Sequence, residues 1–247
     1  MHWEFDFVEV EKTSLKGYTL IEGFPGMGLV GTIAAKYIVE KMDFEYVGYI
    51  DSNIFLPIIR IHNGTPIRPA RIYADKKRKV AVLISEQVIG KQFTSMVAKK
   101  TVEWIKQKGF ARVISLSGVH SADAGPKEII YGIAADEKSK KLLKSHGLTE
   151  IKDGITTGIT ALILLELRGQ NVEAISLLGN VQLSADYKAA AEVLKKLDSS
   201  MNFGLDIEPL LKEAKETEKA LIQQLQSVKE TKDNSEKFEV AQTPVIT

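Results

Sequence analysis

Tyr18-Thr19-Leu20-Ile21-Glu22-Gly23-Phe24-Pro25-Gly26-Met27-Gly28-Leu29-Val30-Gly31 is the stretch on which the fold turns. Residues 18–22 are rich in aliphatic and β-favouring side chains and read as a strand, closed by Gly23. A glycine-rich turn follows. Val30, Ile33, Ala34, Tyr37, Ile38 and Met42 then recur with the 3.6-residue period of a helix over 29–42. A strand passing through a tight turn into a helix is the first half of a β-α-β unit, so the chain opens as an α/β protein.

The turn itself has two readings. Gly26, Gly28 and Gly31 fit the spacing G-x-G-x-x-G, and the next strand, over 44–50, leads to Asp51. Backbone N–H groups and a helix dipole there would hold a pyrophosphate, making the chain a nucleotide- or nucleoside-binding enzyme. The other reading is a structural turn, Gly23, Pro25, Gly26, Gly28 and Gly31, in which glycine lets helix and strand approach closely. Pro25 removes a turn donor, and Phe24, Met27 and Leu29 are apolar, which favours packing.

Working outward, residues 3–10 alternate apolar and acidic and read as a half-buried strand. Residues 54–61 are apolar, Asn63-Gly64 is a hairpin-type turn, and 68–74 alternate, which suggests an antiparallel region. Val80-Ala81-Val82-Leu83-Ile84 is apolar throughout, as for a strand covered on both faces. Helices are expected over 94–108, 137–146, 157–168 and 186–197. Strands are expected over 112–116, 129–134 and 172–178, with a loop beginning at Gly118. This alternation predicts a three-layer α/β domain with a mainly parallel central sheet over 1–205. In 206–229, Ile207, Leu210, Leu211, Ala214, Leu221, Leu225 and Val228 form a narrow apolar stripe on a charged helix. Such a helix packs on the body or on a neighbouring subunit. Residues 230–247 are polar and aperiodic and read as a flexible tail.

Composition excludes several functions. The 247 residues contain no cysteine, which removes disulfide scaffolds, thiol catalysis and zinc–thiolate sites. The formal net charge of +1 argues against a broadly basic nucleic-acid binder. No charged-then-apolar leader opens the chain, and no apolar run is long enough to span a bilayer, so a soluble, cytoplasmic protein without membrane or nucleic-acid partners is expected.

Candidates for chemistry are few. His2, His62, His120 and His146 are scattered, so no metal site is expected. Ser117, His120 and Asp123 follow a buried strand where α/β proteins place ligands, but they form no nucleophile elbow. A polar loop capping the sheet is the competing reading. Glu86 and Gln87, at another strand end, line the same crevice or satisfy backbone. The run Asp75-Lys76-Lys77-Arg78-Lys79 reads as a solvated hairpin tip. No catalytic residue and no cofactor is expected from this set.

Gly23-Phe24-Pro25-Gly26-Met27-Gly28-Leu29-Val30-Gly31 resembles the amino-terminal signature of the proteasome assembly chaperone family, in particular archaeal relatives of the eukaryotic second assembly chaperone. Three other segments are similar to the family: Ser117-Gly118, Gly154-Ile155-Thr156-Thr157-Gly158 before an apolar helix, and Ser184-Ala185-Asp186-Tyr187 before the striped helix. The resemblance implies a nucleoside-phosphorylase-like fold without its catalysis. It also implies a non-enzymatic chaperone for proteasome α subunits, and a homo-oligomer, with a ring as one such arrangement, is expected with it. Many members end in a hydrophobic residue, a tyrosine and any residue, and dock through that end. Val245, Ile246 and Thr247 occupy those positions here, so Val245 matches and Ile246 lacks the phenolic hydroxyl.

Overall fold

The computed structural model describes residues 3–120 and 129–212. The elements in chain order are β1 (Phe5–Glu9), β2 (Thr19–Gly23), α1 (Val30–Lys41), β3 (Glu45–Ser52), β4 (Arg60–His62), β5 (Thr65–Ile67), β6 (Ala70–Asp75), β7 (Val80–Ser85), α2 (Thr94–Lys108), β8 (Arg112–Val119), β9 (Tyr131–Ala134), α3 (Lys140–Ser145), β10 (Thr149–Glu150), α4 (Ile159–Leu167), β11 (Glu173–Asn180), α5 (Tyr187–Met201) and α6 (Glu208–Lys212). Nine strands form one sheet in the order β1-β3-β6-β7-β2-β8-β11-β9-β10, and β4 pairs with β5 in a separate hairpin.

The centre of the sheet, β7-β2-β8-β11, is parallel as expected. The flanks are not. β6 runs antiparallel to β7, β3 to β6, β1 to β3, and β9 to β11. The sheet as a whole is therefore mixed. The physical reason lies in connection length, since the short turn between β6 and β7 can join only antiparallel strands.

Side-chain alternation on the central strands produces the three layers. Ile21, Val82, Ile114 and Ile175 face α1 and α5, whereas Leu20, Leu83, Val113 and Ala174 face α2 and α4. Each fully buried aliphatic of this kind contributes about 1.5–3 kcal/mol. Gly109, at φ 70°, ends α2 in the left-handed conformation, and the Asp186 side chain accepts a 2.8 Å hydrogen bond from Ala189 N to cap α5.

Two local expectations change. β8 continues through Gly118 and Val119, because Gly179 and Asn180 of β11 pair with them. The helix expected from 137 begins only at Lys140: the Asp136 carboxylate accepts from Ser139 N (2.9 Å) and Ser139 Oγ (2.8 Å), organising 136–139 as a turn. The apolar stretch 54–61 meets the core only in part. Ile54 and Phe55 are half-buried, and Ile59 and Ile61 face outward on or beside the β4–β5 hairpin. That hairpin turns at Asn63 (φ 48°) and Gly64 (φ 74°), as its sequence requires. Of the striped helix, only α6 lies within the described residues, and the expected tail lies outside them.

Candidate functional site

β2, β7, β8 and β11 end at one edge of the sheet, and β3, which runs in the same direction, ends there too. The glycine turn, the 53–69 segment with its hairpin, residues 86–93, His120, the 151–158 loop and residues 181–186 gather along this carboxyl edge. In open α/β sheets this is where ligands and partners bind.

The turn is packed by the protein's own backbone. A Cβ on Gly31 would lie 2.2 Å from the carbonyl oxygen of Leu116, and one on Gly23 would lie 2.4 Å from that of Gly31. Gly28 has φ 61°, and a Cβ there would meet Val181 at 2.6 Å. Gly28 O accepts from Asp186 N at 2.8 Å, and Gly26 O accepts from Leu29 N at 3.0 Å. Only Pro25, Gly26 and Met27 reach solvent. Asp51 is equally decisive for the dinucleotide reading. It sits on β3, separated from β2 by β6 and β7, and is exposed and paired with Arg68 at 2.8 Å. The acid that a dinucleotide fold uses for ribose stands on the strand beside the turn, and here that strand is elsewhere. The glycines therefore serve close packing, and the nucleotide-enzyme reading is not supported.

The Ser117–His120 pairing also fails. A Cβ on Gly26 would lie 3.3 Å from Ser117 Oγ, whereas His120 Nδ1 is 2.8 Å from Val181 O, and no hydrogen bond joins the two residues. Asp123 lies outside the described residues. Glu86 and Gln87 fasten the 54–69 segment rather than lining a catalytic crevice. Glu86 is buried and accepts from Arg71 at 3.0 Å and from Arg60 of β4, and Gln87 Nε2 donates to Leu56 O at 3.1 Å. Residues 75–79 form the β6–β7 hairpin tip at the opposite edge, where Asp75 accepts from Lys77 N and Arg78 N. No cluster of three His, Asp or Glu able to hold a metal stands among the described residues.

Beside His120 the edge opens into a cavity of about 800 Å³, lined in part by Val119, Tyr131, Ile133, Lys152 and Ile155. Nearby lies a residue that sequence reasoning treated only as part of a strand. Glu22 is 0% exposed at the end of β2, and burial pushes its carboxyl above the usual range. It accepts from Phe24 N at 2.9 Å and from Thr160 Oγ1 at 3.3 Å. An acid inside an aliphatic strand was the available signal.

Exposure along the edge is uneven in kind. Met27, Ile59, Ile61, Val88, Ile155 and Leu183 all protrude there, with Ile155 95% exposed at the tip of an exposed loop. Of its cations, Arg60 and Arg68 are paired with Glu86 and Asp51, while Lys91 and Lys152 are exposed. The opposite edge carries Lys76, Lys77, Arg78, Lys106, Lys108, Glu9 and Glu45. The carboxyl edge therefore sets protruding apolar side chains among scattered charges, Lys91, Lys152 and Asp153 included, whereas the opposite edge is dominated by charge. Protruding apolar side chains set in polar loops are the pattern of proteins that bind other proteins.

That class of protein agrees with the relatives of the chain, which belongs to the PAC2 family, matching it over residues 20–225. It is 33% identical over 217 residues to an uncharacterized protein of Methanocaldococcus jannaschii, covering 87% of this chain and 88% of that one. Human proteasome assembly chaperone 2 is 28% identical over 115 residues, covering 43% of this chain and 44% of its own length. The crystal structure of Pyrococcus furiosus PbaA, an archaeal homolog of proteasome-assembly chaperone, superposes with a TM-score of 0.82 at 29% identity. It covers 93% of this chain and 100% of that one. No helix among the described residues is long and apolar enough to cross a membrane.

Proposed function

We propose that the chain is a non-enzymatic assembly chaperone or scaffold for proteasome α subunits or a related complex, acting in the cytoplasm as a homo-oligomer. The observation that carries this reading is the row of protruding apolar side chains along the carboxyl edge, Met27, Ile59, Ile61, Val88, Ile155 and Leu183, set on a body that belongs to the PAC2 family. In this reading the fold follows a nucleoside-phosphorylase-like plan from which catalysis is absent. The division of labour follows from surface chemistry. The body, 1–205, presents the edge to client subunits. The striped helix, 206–229, joins copies of the chain, and a ring is the arrangement it would build. The arm, 230–247, brings Val245, Ile246 and Thr247 to a second contact, weakened by isoleucine in the tyrosine position.

The test is binding of purified proteasome α subunits to the full chain, to a chain ending at Lys229, and to Ile59→Asp and Ile155→Asp. Binding that survives truncation but falls more than about tenfold in the edge variants supports the edge as the client face. Loss on truncation alone assigns recognition to the arm, and no binding by the full chain overturns the proposal.

A further inference from the structure

Glu22 is a fully buried carboxylate at the end of a central strand, and no positive charge is paired with it. Every element around it presents a neutral group: Leu83 from β7, Ser115 from β8, Phe24 from the glycine turn and Thr160 from α4. Its register partner Ser115 is itself fully buried, and Ser115 Oγ has no other hydrogen-bond partner among the described residues. A carboxyl group that keeps its proton needs one acceptor, and a serine hydroxyl beside it supplies that acceptor. The donors Phe24 N and Thr160 Oγ1 come from two different segments of the contact edge. Phe24 N belongs to the turn that exposes Met27, and Thr160 Oγ1 to the first turn of α4, directly after the loop that exposes Ile155.

We propose that Glu22 is a proton-operated catch: protonated, it ties the glycine turn to the first turn of α4, and ionised, it releases that turn and with it the 151–158 loop of the contact edge. The relevance of the catch to partners rests on the reading of that edge as a client face. Its existence does not. Burial raises the Glu22 carboxyl, with partial opposition from the hydrogen bonds of Phe24, Ser115 and Thr160. The open form exposes the carboxyl to water and restores its ordinary value of 4.5. Between that value and the buried one, the opening equilibrium rises up to tenfold per pH unit, and above the buried one it levels off.

Hydrogen exchange of the full chain from pH 5 to 9, corrected for intrinsic rates and read over 151–163, tests the catch. Glu22→Gln keeps the shape and the acceptor for Phe24 N but cannot ionise. Wild type should open progressively as pH rises, and Glu22→Gln should give a flat profile. Thr160→Val removes one stabilising donor and should move the levelling-off to higher pH, which keeps the proposal testable should Glu22→Gln fail to fold. Parallel profiles in wild type and variants would sink it. Binding to α subunits, measured on the same proteins at both pH extremes, separates the two ideas. Binding with no pH-dependent opening refutes the catch alone, and opening with no binding at any pH refutes the client reading alone.

Discussion

Replacing Gly31 by alanine probes the reading of the glycine turn as a packing device. The added Cβ would stand 2.2 Å from Leu116 O and 3.2 Å from Phe24 O, both backbone atoms that cannot rotate away. Ordinary van der Waals contact begins at 3.4 Å, so α1 must move about 1 Å off β8, a shift that opens the aliphatic layer between them. Overpacking of a tight core costs roughly 3 kcal/mol at its upper end. Alanine recovers up to about 1 kcal/mol through helix propensity. The net loss is about 2 kcal/mol, which lowers Tm by about 4–8 °C in a domain of this size. Thermal unfolding followed by circular dichroism measures it. Gly154→Ala is the control: its Cβ would meet only Ile151 Cγ2, at 3.6 Å, and stability should change by less than about 0.5 kcal/mol. A Gly31→Ala protein as stable as wild type would refute the close-approach argument and reopen the turn as a ligand cradle.

Glu86→Ala leaves Arg71 buried without its anion and should cost about 3–5 kcal/mol in urea unfolding, with Arg60 and the β4–β5 hairpin gaining exchange. Asp186→Ala removes the cap of α5 together with the acceptor for Gln182 N and Leu183 N, and should cost about 2 kcal/mol by the same assay. NAD, nucleosides and phosphate at millimolar concentration should leave Tm unchanged; a rise that Gly28→Ala abolishes would restore the nucleotide reading. Ile155→Asp should weaken α-subunit binding with stability nearly intact, whereas Val10→Asp, exposed at the opposite edge, should leave binding alone.

Much of the fold was legible because it is local. The 3.6-residue period of α1, the Asn63-Gly64 turn and the all-apolar β7 each depend on neighbours within a few residues. The packing reading of the glycine turn rested on its flanking Phe24, Met27 and Leu29, which are also local. Legibility failed where distant segments decide. Whether Ile59 is core or surface depends on what packs over the 54–61 stretch, and no period within that stretch carries this information.

The sequence by itself determined that the chain alternates strands and helices, lacks thiol chemistry and folds its first strand through glycines into a helix. These are consequences of periodicity, composition and backbone sterics, which act between near neighbours. Tertiary structure alone decided that β3 pairs with β6 rather than beside β2. That choice removes Asp51 from the turn and brings the hairpin to the edge where Ile155 protrudes. It alone placed Glu22 opposite Ser115 and beneath Thr160, 138 residues away. Strand order and burial arise from contacts between segments far apart in the chain, so the charge state of one acid and the stickiness of one edge exist only once the sheet has closed around them.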